Sequence, residues 1–258
     1  MKKLNKAELK EFLDEKASLY EEPSFLDTDP IHIPASFSLK QDIEIAGFLT
    51  ATIAWGNRKS IINNATKLME IMGQTPYDFV MEYEAEKHQE YLEGFVHRTF
   101  NSIDLDYFIT ALKHLYTTKN SMEDFFIDYK NLPRLNDSIT DFKKSFFSLP
   151  HPTRTTKHVS DPAKNSAAKR INMFFRWMVR SNSKGVDLGI WQNLTSSQLS
   201  CPLDVHSGNV ARKLGILNRK QNDGKALLEL DTQLRKMDAI DPVKYDYALF
   251  GLGVFEKF

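Results

Sequence analysis

Apolar residues return at three- and four-residue spacing along almost the whole chain, the repeat that lines one face of an α-helix. Start and stop signals divide this repeat into segments. Ser38 with Gln41 opens a helix whose face runs through Ile43, Ala46, Gly47, Thr50 and Ala54. Ser60 opens a run to Met72, and Gly73 stops it. Thr75-Pro76 with Asp78 starts the next, and Ser102 precedes a run from Asp104 to Tyr116. Ser121 with Asp124 and Ser138 with Asp141 read as further capping boxes. Asp241-Pro242 reads as an N-cap followed by proline at the first helical position, and Val243 to Phe255 continues it. Alternating β-branched runs are absent, and the one Asp-Gly pair, Asp223-Gly224, lies between polar stretches. The predicted fold class is all-α, in a single domain over residues 1–258.

Composition narrows the function classes. Hydrophobic residues at 41% and aromatic residues at 12% exclude a disordered chain. The single cysteine, Cys201, excludes an internal disulfide framework and any site that needs two thiolates. The start of the chain, Met1-Lys2-Lys3-Leu4-Asn5-Lys6, has no apolar core, and no stretch approaches 18 apolar residues. A soluble cytoplasmic protein, with no membrane partner, is therefore expected. None of the seven histidines makes a metal-ligand pair at helical spacing, and His206 reads as a packing or capping residue beside Asp204. No metal and no cofactor are expected.

The formal net charge of zero hides a division. Residues 1–150 carry −7, residues 151–220 carry +9, and residues 221–258 carry −2. A block this basic is either a surface for a polyanion or a solvated face answered by acids elsewhere. It begins in an irregular stretch from Leu149 to about Asn165 that holds three prolines with Arg154, Lys157, His158 and Lys164. A loop of that length is expected to be functional or mobile.

Three segments carry candidate chemistry. From Ala168 to Arg180 a helix places Ile171, Phe174, Phe175 and Met178 on an apolar face. Lys169, Arg176 and Arg180 fall on another stripe, which reads as a phosphate-facing or a merely solvated side. From Cys201 to Gly215 a second helix starts at Asp204 and ends at Gly215. Asp204 is a favoured N-cap, and backbone N–H groups there can also keep a carboxylate ionised, as needed to stabilise a positively charged sugar. Arg212 and Lys213 contact phosphate or solvent. From Ile43 to Thr66 a small-residue helix enters a polar turn and then another helix.

These segments resemble, in order and content, the helix-hairpin-helix DNA glycosylase superfamily, which includes endonuclease III. Ala54 to Thr66, followed by Gln74-Thr75-Pro76, resembles its early helix, polar turn and Asn-x-Ala-Thr helix. Leu203-Asp204-Val205-His206 with Asn209 to Gly215 resembles its aspartate motif, usually Val-Asp-Thr-His before a helix with Arg and Leu-Gly. Tyr245 to Gly253 resembles its late helix. The similarity covers most of residues 40–258, and among the branches it is most like a bacterial one without an assigned activity. Two features depart. The glycine-rich hairpin Leu-Pro-Gly-Val-Gly is replaced by the stretch from Ser181 to Trp191, and the four-cysteine iron–sulfur loop is missing, so no iron–sulfur cluster is expected. Archaeal 8-oxoguanine glycosylases also have an altered hairpin, and their lysine lies some thirty residues before the aspartate. Lys169 lies 35 residues before Asp204, and Lys184 lies 20 before it at a spacing nearer endonuclease III. Both stand as candidate lysines.

The resemblance implies a two-lobed helical fold with a cleft, with lobe A at about 40–195 and lobe B at about 1–39 plus 196–258. It implies base excision from double-stranded DNA carrying a damaged base, which would be flipped out of the helix. Asp204 would stabilise the sugar cation. A lysine amine at C1′ would give a Schiff base and AP-lyase activity, which requires a neutral amine, a form favoured by burial and nearby cations. Trp191, Trp177 and Trp55 would stack on the flipped base, or else pack in the core. Asn57 and Arg58 would fill the gap it leaves, and Arg170, Arg176, Arg180, Arg212 and Lys213 would contact the backbone. Two alternatives stand beside this: a non-catalytic nucleic-acid-binding protein of the same fold, and a helical protein-interaction scaffold.

Overall fold

The computed structural model describes residues 4–258. Met1, Lys2 and Lys3, part of the polar start of the chain, lie outside the described residues. The chain is mostly helical, with 64% of residues in helices and 2% in strands. In chain order the α-helices are α1 (Lys6–Tyr20), α2 (His32–Ala35), α3 (Lys40–Ile53), α4 (Arg58–Ile71), α5 (Pro76–Glu82) and α6 (Ala85–His88). A two-stranded hairpin follows, β1 (Val96–His97) and β2 (Phe100–Asn101). The rest are α7 (Ser102–Thr118), α8 (Glu123–Phe126), α9 (Ile139–Phe146), α10 (Lys169–Val179), α11 (Val205–Lys213), α12 (Gly224–Met237) and α13 (Tyr245–Val254).

Several starts differ from the sequence reading by one to three residues. Asn57, not Ser60, caps α4, its side chain accepting from the Ser60 N–H at 3.2 Å. Asn101, not Ser102, caps α7 in a reciprocal box with Asp104. Leu39, rather than Ser38, precedes α3, and Asp42 in its first turn accepts instead from the Tyr77 N–H at 2.8 Å. Asn outranks Thr and matches Ser as a cap, so adjacent Asn and Ser leave the register open until packing chooses. The hairpin was not legible because two residues per strand are too few for an alternating pattern.

The chain divides into two compact units. One is formed by residues 26–131 and 138–160. Its core is aromatic: Phe48, Phe100, Phe108 and Phe146 interlock, with ring centroids of Phe108 and Phe146 5.0 Å apart. A fully buried Glu44 on α3 is satisfied there by the Tyr116 hydroxyl at 2.8 Å and the Met122 N–H at 2.9 Å. The stretch after Leu149, expected to be functional or mobile, is tied down. Thr155 and Arg154 reach the buried Asp104 at 2.8 and 3.2 Å.

The other unit joins residues 4–25, 132–137 and 161–258. Its core holds Leu13 and Ala17 of α1, Val210 and Ala211 of α11, Leu227, Leu230 and Leu234 of α12, and Ala248, Leu249 and Leu252 of α13. Helices α1 and α13 approach closely because α13 is small where they meet. A Cβ on Gly251 would lie 2.1 Å from the Tyr20 ring. Gly251→Ala should therefore destabilise the protein. Overpacking costs about 1–3 kcal/mol and outweighs the ~1 kcal/mol that alanine ordinarily contributes inside a helix. A fall in thermal midpoint checks this, and a rise would contradict the packing.

Candidate active site

The site grows from the segment Leu199 to Asp204, an extended run that leads into α11. Three side chains fix its path. The Arg235 guanidinium donates to the Leu199 carbonyl at 2.6 Å, Asp231 accepts from the Cys201 N–H at 3.0 Å, and Asn222 donates to the Asp204 carbonyl at 2.6 Å. Gly208 makes room for the last of these, since a Cβ there would sit 2.5 Å from the Asn222 side chain. Arg212 steadies Asn222 through its guanidinium at 2.5 Å and anchors itself on the Arg219 carbonyl at 2.7 Å.

The two oxygens of Asp204 have separate tasks. Oδ1 caps α11, accepting from the Ser207 N–H at 2.9 Å. Oδ2 faces Lys169, whose Nζ lies 3.1 Å away. The helix-cap reading and the functional reading of Asp204 thus use different atoms of one group. Burial pushes this carboxyl up, but Lys169 and the Ser207 N–H more than offset it and hold the group below the usual carboxylate value. Asp204 is a carboxylate at neutral pH.

Lys169 opens α10. The residue before it, Ala168, sits at φ +45° in the left-handed region, which costs a non-glycine residue roughly 1 kcal/mol. It is held there by the Ser166 hydroxyl on its N–H at 3.1 Å. Asn172, one turn into α10, donates to the neighbouring Ala167 carbonyl at 3.0 Å. Lys184, the rival lysine, is exposed on the short 3₁₀ turn Asn182–Lys184 and makes no ion pair among the described residues.

A second carboxylate, Asp246 on α13, belongs to the same site. It is ion-paired with Arg176 and accepts from the Cys201 thiol at 3.6 Å. Burial pushes its pKa up to about 6, with Arg176 and Lys169 pulling down and Asp204 pushing up. Cys201 is buried and its thiol is pushed well above its ordinary value, by burial first and then by Asp246 and Asp231. It is therefore a protonated packing group and no nucleophile. Sequence reasoning gave Asp246 no role. The available signal was a lone acid among Tyr245, Tyr247, Ala248, Leu249 and Phe250, a stretch otherwise apolar or aromatic.

The basic stripe on α10 divides. Lys169 faces Asp204, but Arg176 and Arg180 turn inward and are only 5% exposed. Arg176 binds Asp187 at 3.2 Å, and Arg180 binds Asp187 at 3.2 Å, Asp241 at 2.8 Å and Glu21 at 2.5 Å. Both guanidiniums lie over the Tyr247 ring. These two arginines are taken up by buried carboxylates instead of lining a phosphate-facing surface. Asp187 comes from the stretch that stands where the superfamily has its hairpin. That stretch folds back on α10, with the Leu188 and Trp191 N–H groups on the Trp177 and Met178 carbonyls at 2.9 and 2.8 Å. Gly189 is needed for the turn: its φ is +59° and a Cβ would meet the Arg180 carbonyl oxygen at 3.0 Å.

The remaining expected residues are placed as follows. Arg170 is half-buried, and burial lowers its pKa to about 10. Lys213 is exposed, 5.8 Å over the Phe258 ring. Trp177 and Trp191 are core residues with at most 1% exposure, Trp191 meeting Phe174 edge to face at 5.4 Å. They are packed, not offered for stacking. Trp55 lies in the other compact unit against His97 at 5.0 Å. In that unit Asn57 spends its side-chain oxygen on the cap of α4, and Arg58 lies 3.7 Å from Asp29. Among the described residues no group of three or more His, Cys, Asp or Glu side chains is placed to hold a metal ion, and no helix is long and apolar enough to cross a membrane.

The arrangement offers an ionised carboxylate, an ammonium in contact with it, and a neighbouring carboxyl that titrates near neutrality. Such a set suits chemistry in which positive charge develops and a proton moves.

Compared with known proteins, residues 29–255 match the model of a family described as a protein of unknown function (DUF2400). No curated protein and no solved structure matches the chain.

The raised pKa of Asp246 has a testable sign. Its folded value, about 6, lies above its unfolded value near 3.8, so on its account stability falls as pH rises between these values and is level above them. An Asn variant carries no such charge. Measured by urea unfolding, the stability of Asp246→Asn relative to the parent should rise between pH 4 and pH 7, on the order of 3 kcal/mol. A difference independent of pH would contradict the assignment.

Proposed function

We propose that this chain, which belongs to the DUF2400 family, is a DNA base-excision glycosylase in which Asp204 and Lys169 are the reacting pair. One observation carries the reading. Two residues that the resemblance picks out separately, 35 positions apart, lie within 3.1 Å of each other in one compact unit. An ion pair alone would serve structure. Here the lysine follows a strained residue and the carboxylate follows a segment held by three side chains, so both partners are fixed before any ligand arrives. The reading includes the superfamily's two-lobed form with a substrate cleft.

In this reading a damaged nucleotide leaves the duplex and presents its C1′ to the pair. As the bond from C1′ to the base nitrogen breaks, its electrons leave with the base and positive charge grows on the sugar. The Asp204 carboxylate stabilises that charge without rearranging, because its orientation is fixed by the cap. Lys169 Nζ, once it has given up a proton, bonds to C1′. Opening of the sugar ring then gives the Schiff base, and removal of a C2′ proton expels the 3′ phosphate. Asp246, paired with Arg176 and in the field of both residues, is a group that can take up or return a proton near neutral pH.

Borohydride trapping tests the reading. Duplexes carrying 8-oxoguanine, uracil, thymine glycol, an alkylated base or an abasic site are incubated with the protein, and any Schiff base is reduced to a stable adduct. The expected result is an adduct that Lys169→Gln abolishes and Lys184→Gln retains. Asp204→Asn should lower base release about 100-fold or more while duplex binding persists. An adduct that survives in Lys169→Gln overturns the nucleophile. No adduct and no base release on any duplex overturns the enzyme reading and leaves a binding protein.

A further inference from the structure

We propose that the compact unit of residues 26–131 and 138–160 carries a second contact surface for duplex DNA, a phosphate-binding patch made by Lys59, Arg98 and Lys157 around Arg58 and Arg154. The inference rests on DNA being the partner, but not on the chemistry at Asp204.

The three segments that carry these cations are joined to one another, in a part of the chain that is acidic as a whole. The first is the turn from Trp55 into α4. Arg58 and Lys59 occupy the first turn of that helix, which contains no acid. The second is the tip of the β1–β2 hairpin, where Arg98 and Thr99 form the two-residue turn between the paired His97 and Phe100. The third is the 3₁₀ turn Thr153–His158, where Arg154 and Lys157 are three residues apart and so share one side. Contacts join the segments. The Arg98 side chain lies across Gly56, so that a Cβ on that glycine would be 3.0 Å from Nη1. His97 holds the hairpin to the turn, with Nε2 3.1 Å from the Trp55 carbonyl and Nδ1 3.1 Å from the Asn64 amide nitrogen. Arg154 donates to the Thr99 carbonyl at 2.8 Å and to Asn101 at 3.0 Å. Its charge is anchored from beneath by the buried Asp104. Lys59, Arg98 and Lys157 are exposed and take part in no ion pair among the described residues.

Local energetics disfavour three of these cations. Arg98 has φ +56°, at the first turn position of a two-residue hairpin, where glycine is the relaxed residue. Arg58 and Lys59 stand at a helix N-terminus, where the dipole favours anions. Backbone conformation disfavours Arg98, and the helix dipole disfavours Arg58 and Lys59, of which Arg58 is partly answered by Asp29 at 3.7 Å. All three add to a positive field that a row of phosphates would neutralise. The patch differs from the expectation drawn from residues 151–220, because most of it lies outside that block and Arg176 and Arg180, within the block, are buried.

Fluorescence anisotropy with an undamaged 20-base-pair duplex, over a series of salt concentrations, tests the patch. Arg98→Gly, Lys59→Gln and Lys157→Gln are made singly and together. Each single change should lower the magnitude of the slope of log affinity against log salt by about 0.9, and the triple change by about 2.7. At about 0.1 M salt the triple variant should bind at least ten-fold more weakly. Arg98→Gly should at the same time keep or raise the thermal midpoint, since it relieves the left-handed residue, so a loss of binding cannot be ascribed to unfolding. Lys236→Gln, an exposed cation of the other unit, should leave the slope unchanged. A triple variant with the parental slope overturns the patch and leaves the glycosylase reading standing. No salt-dependent binding by the parent protein overturns both.

Discussion

The unit of residues 4–25, 132–137 and 161–258 depends on one constraint: two arginines are buried, Arg176 on α10 and Arg180 at its C-cap, and buried charge must be answered. A guanidinium taken out of water without partners would cost several kcal/mol. The answers come from four carboxylates in three regions of the sequence. Glu21 follows α1, Asp187 comes from the turn after α10, Asp241 precedes α13, and Asp246 lies within it. Tyr247 covers both guanidiniums and donates its hydroxyl to Asp187 at 3.0 Å. Each carboxylate ties its own segment to the two arginines, so the network joins these segments alongside the apolar core. Burial alone would work against the charged form of Arg180, but its three carboxylates reverse that and hold it charged.

The candidate site inherits its order from this network. Asp246 is fixed by Arg176 and in turn receives the Cys201 thiol, three residues before Asp204. Lys169 lies two turns up the same helix as Arg176. The helix that anchors the core thus also presents the amine. This explains why a stripe that looks uniform in the sequence has two fates. From Ile171 onward nearly every residue of α10 is buried, so Arg176 and Arg180 lie inward, whereas Lys169, at the more open start of the helix, meets the Asp204 carboxylate that caps α11.

Much of this was legible beforehand, for identifiable reasons. Helices declare themselves through period and caps, and Asp204, Pro76 and Gly215 mark ends that the structure places within a residue or two. The aspartate cap was readable because its signal is local. The fate of a cation on a helix is not local. Whether Arg176 faces solvent depends on Asp246, 70 residues later, and nothing in the spacing announces that meeting. The same holds for Trp177 and Trp191, whose burial follows from the fold-back of Leu188 and Trp191 onto α10. It holds also for Arg98, whose importance rests on a hairpin too short to leave a pattern.

The unit of residues 4–25, 132–137 and 161–258 joins segments far apart in the sequence, and this has a consequence for the order in which it can form. Helix α1 precedes by more than two hundred residues the partners in and around α13 that hold it: Asp14 waits for Lys244 and Tyr245, and Lys16 waits for Glu256. The unit of residues 26–131 and 138–160 is by then fully synthesised and free to fold. Synthesis therefore carries an orphaned α1 for more than two hundred residues before that helix is covered. Its apolar face is covered only once α13 has been made, when Arg176 and Asp246 can also first meet. A chain truncated even by its last helix would hold every residue of the reacting pair and still lack the carboxylate that locks α10 in place.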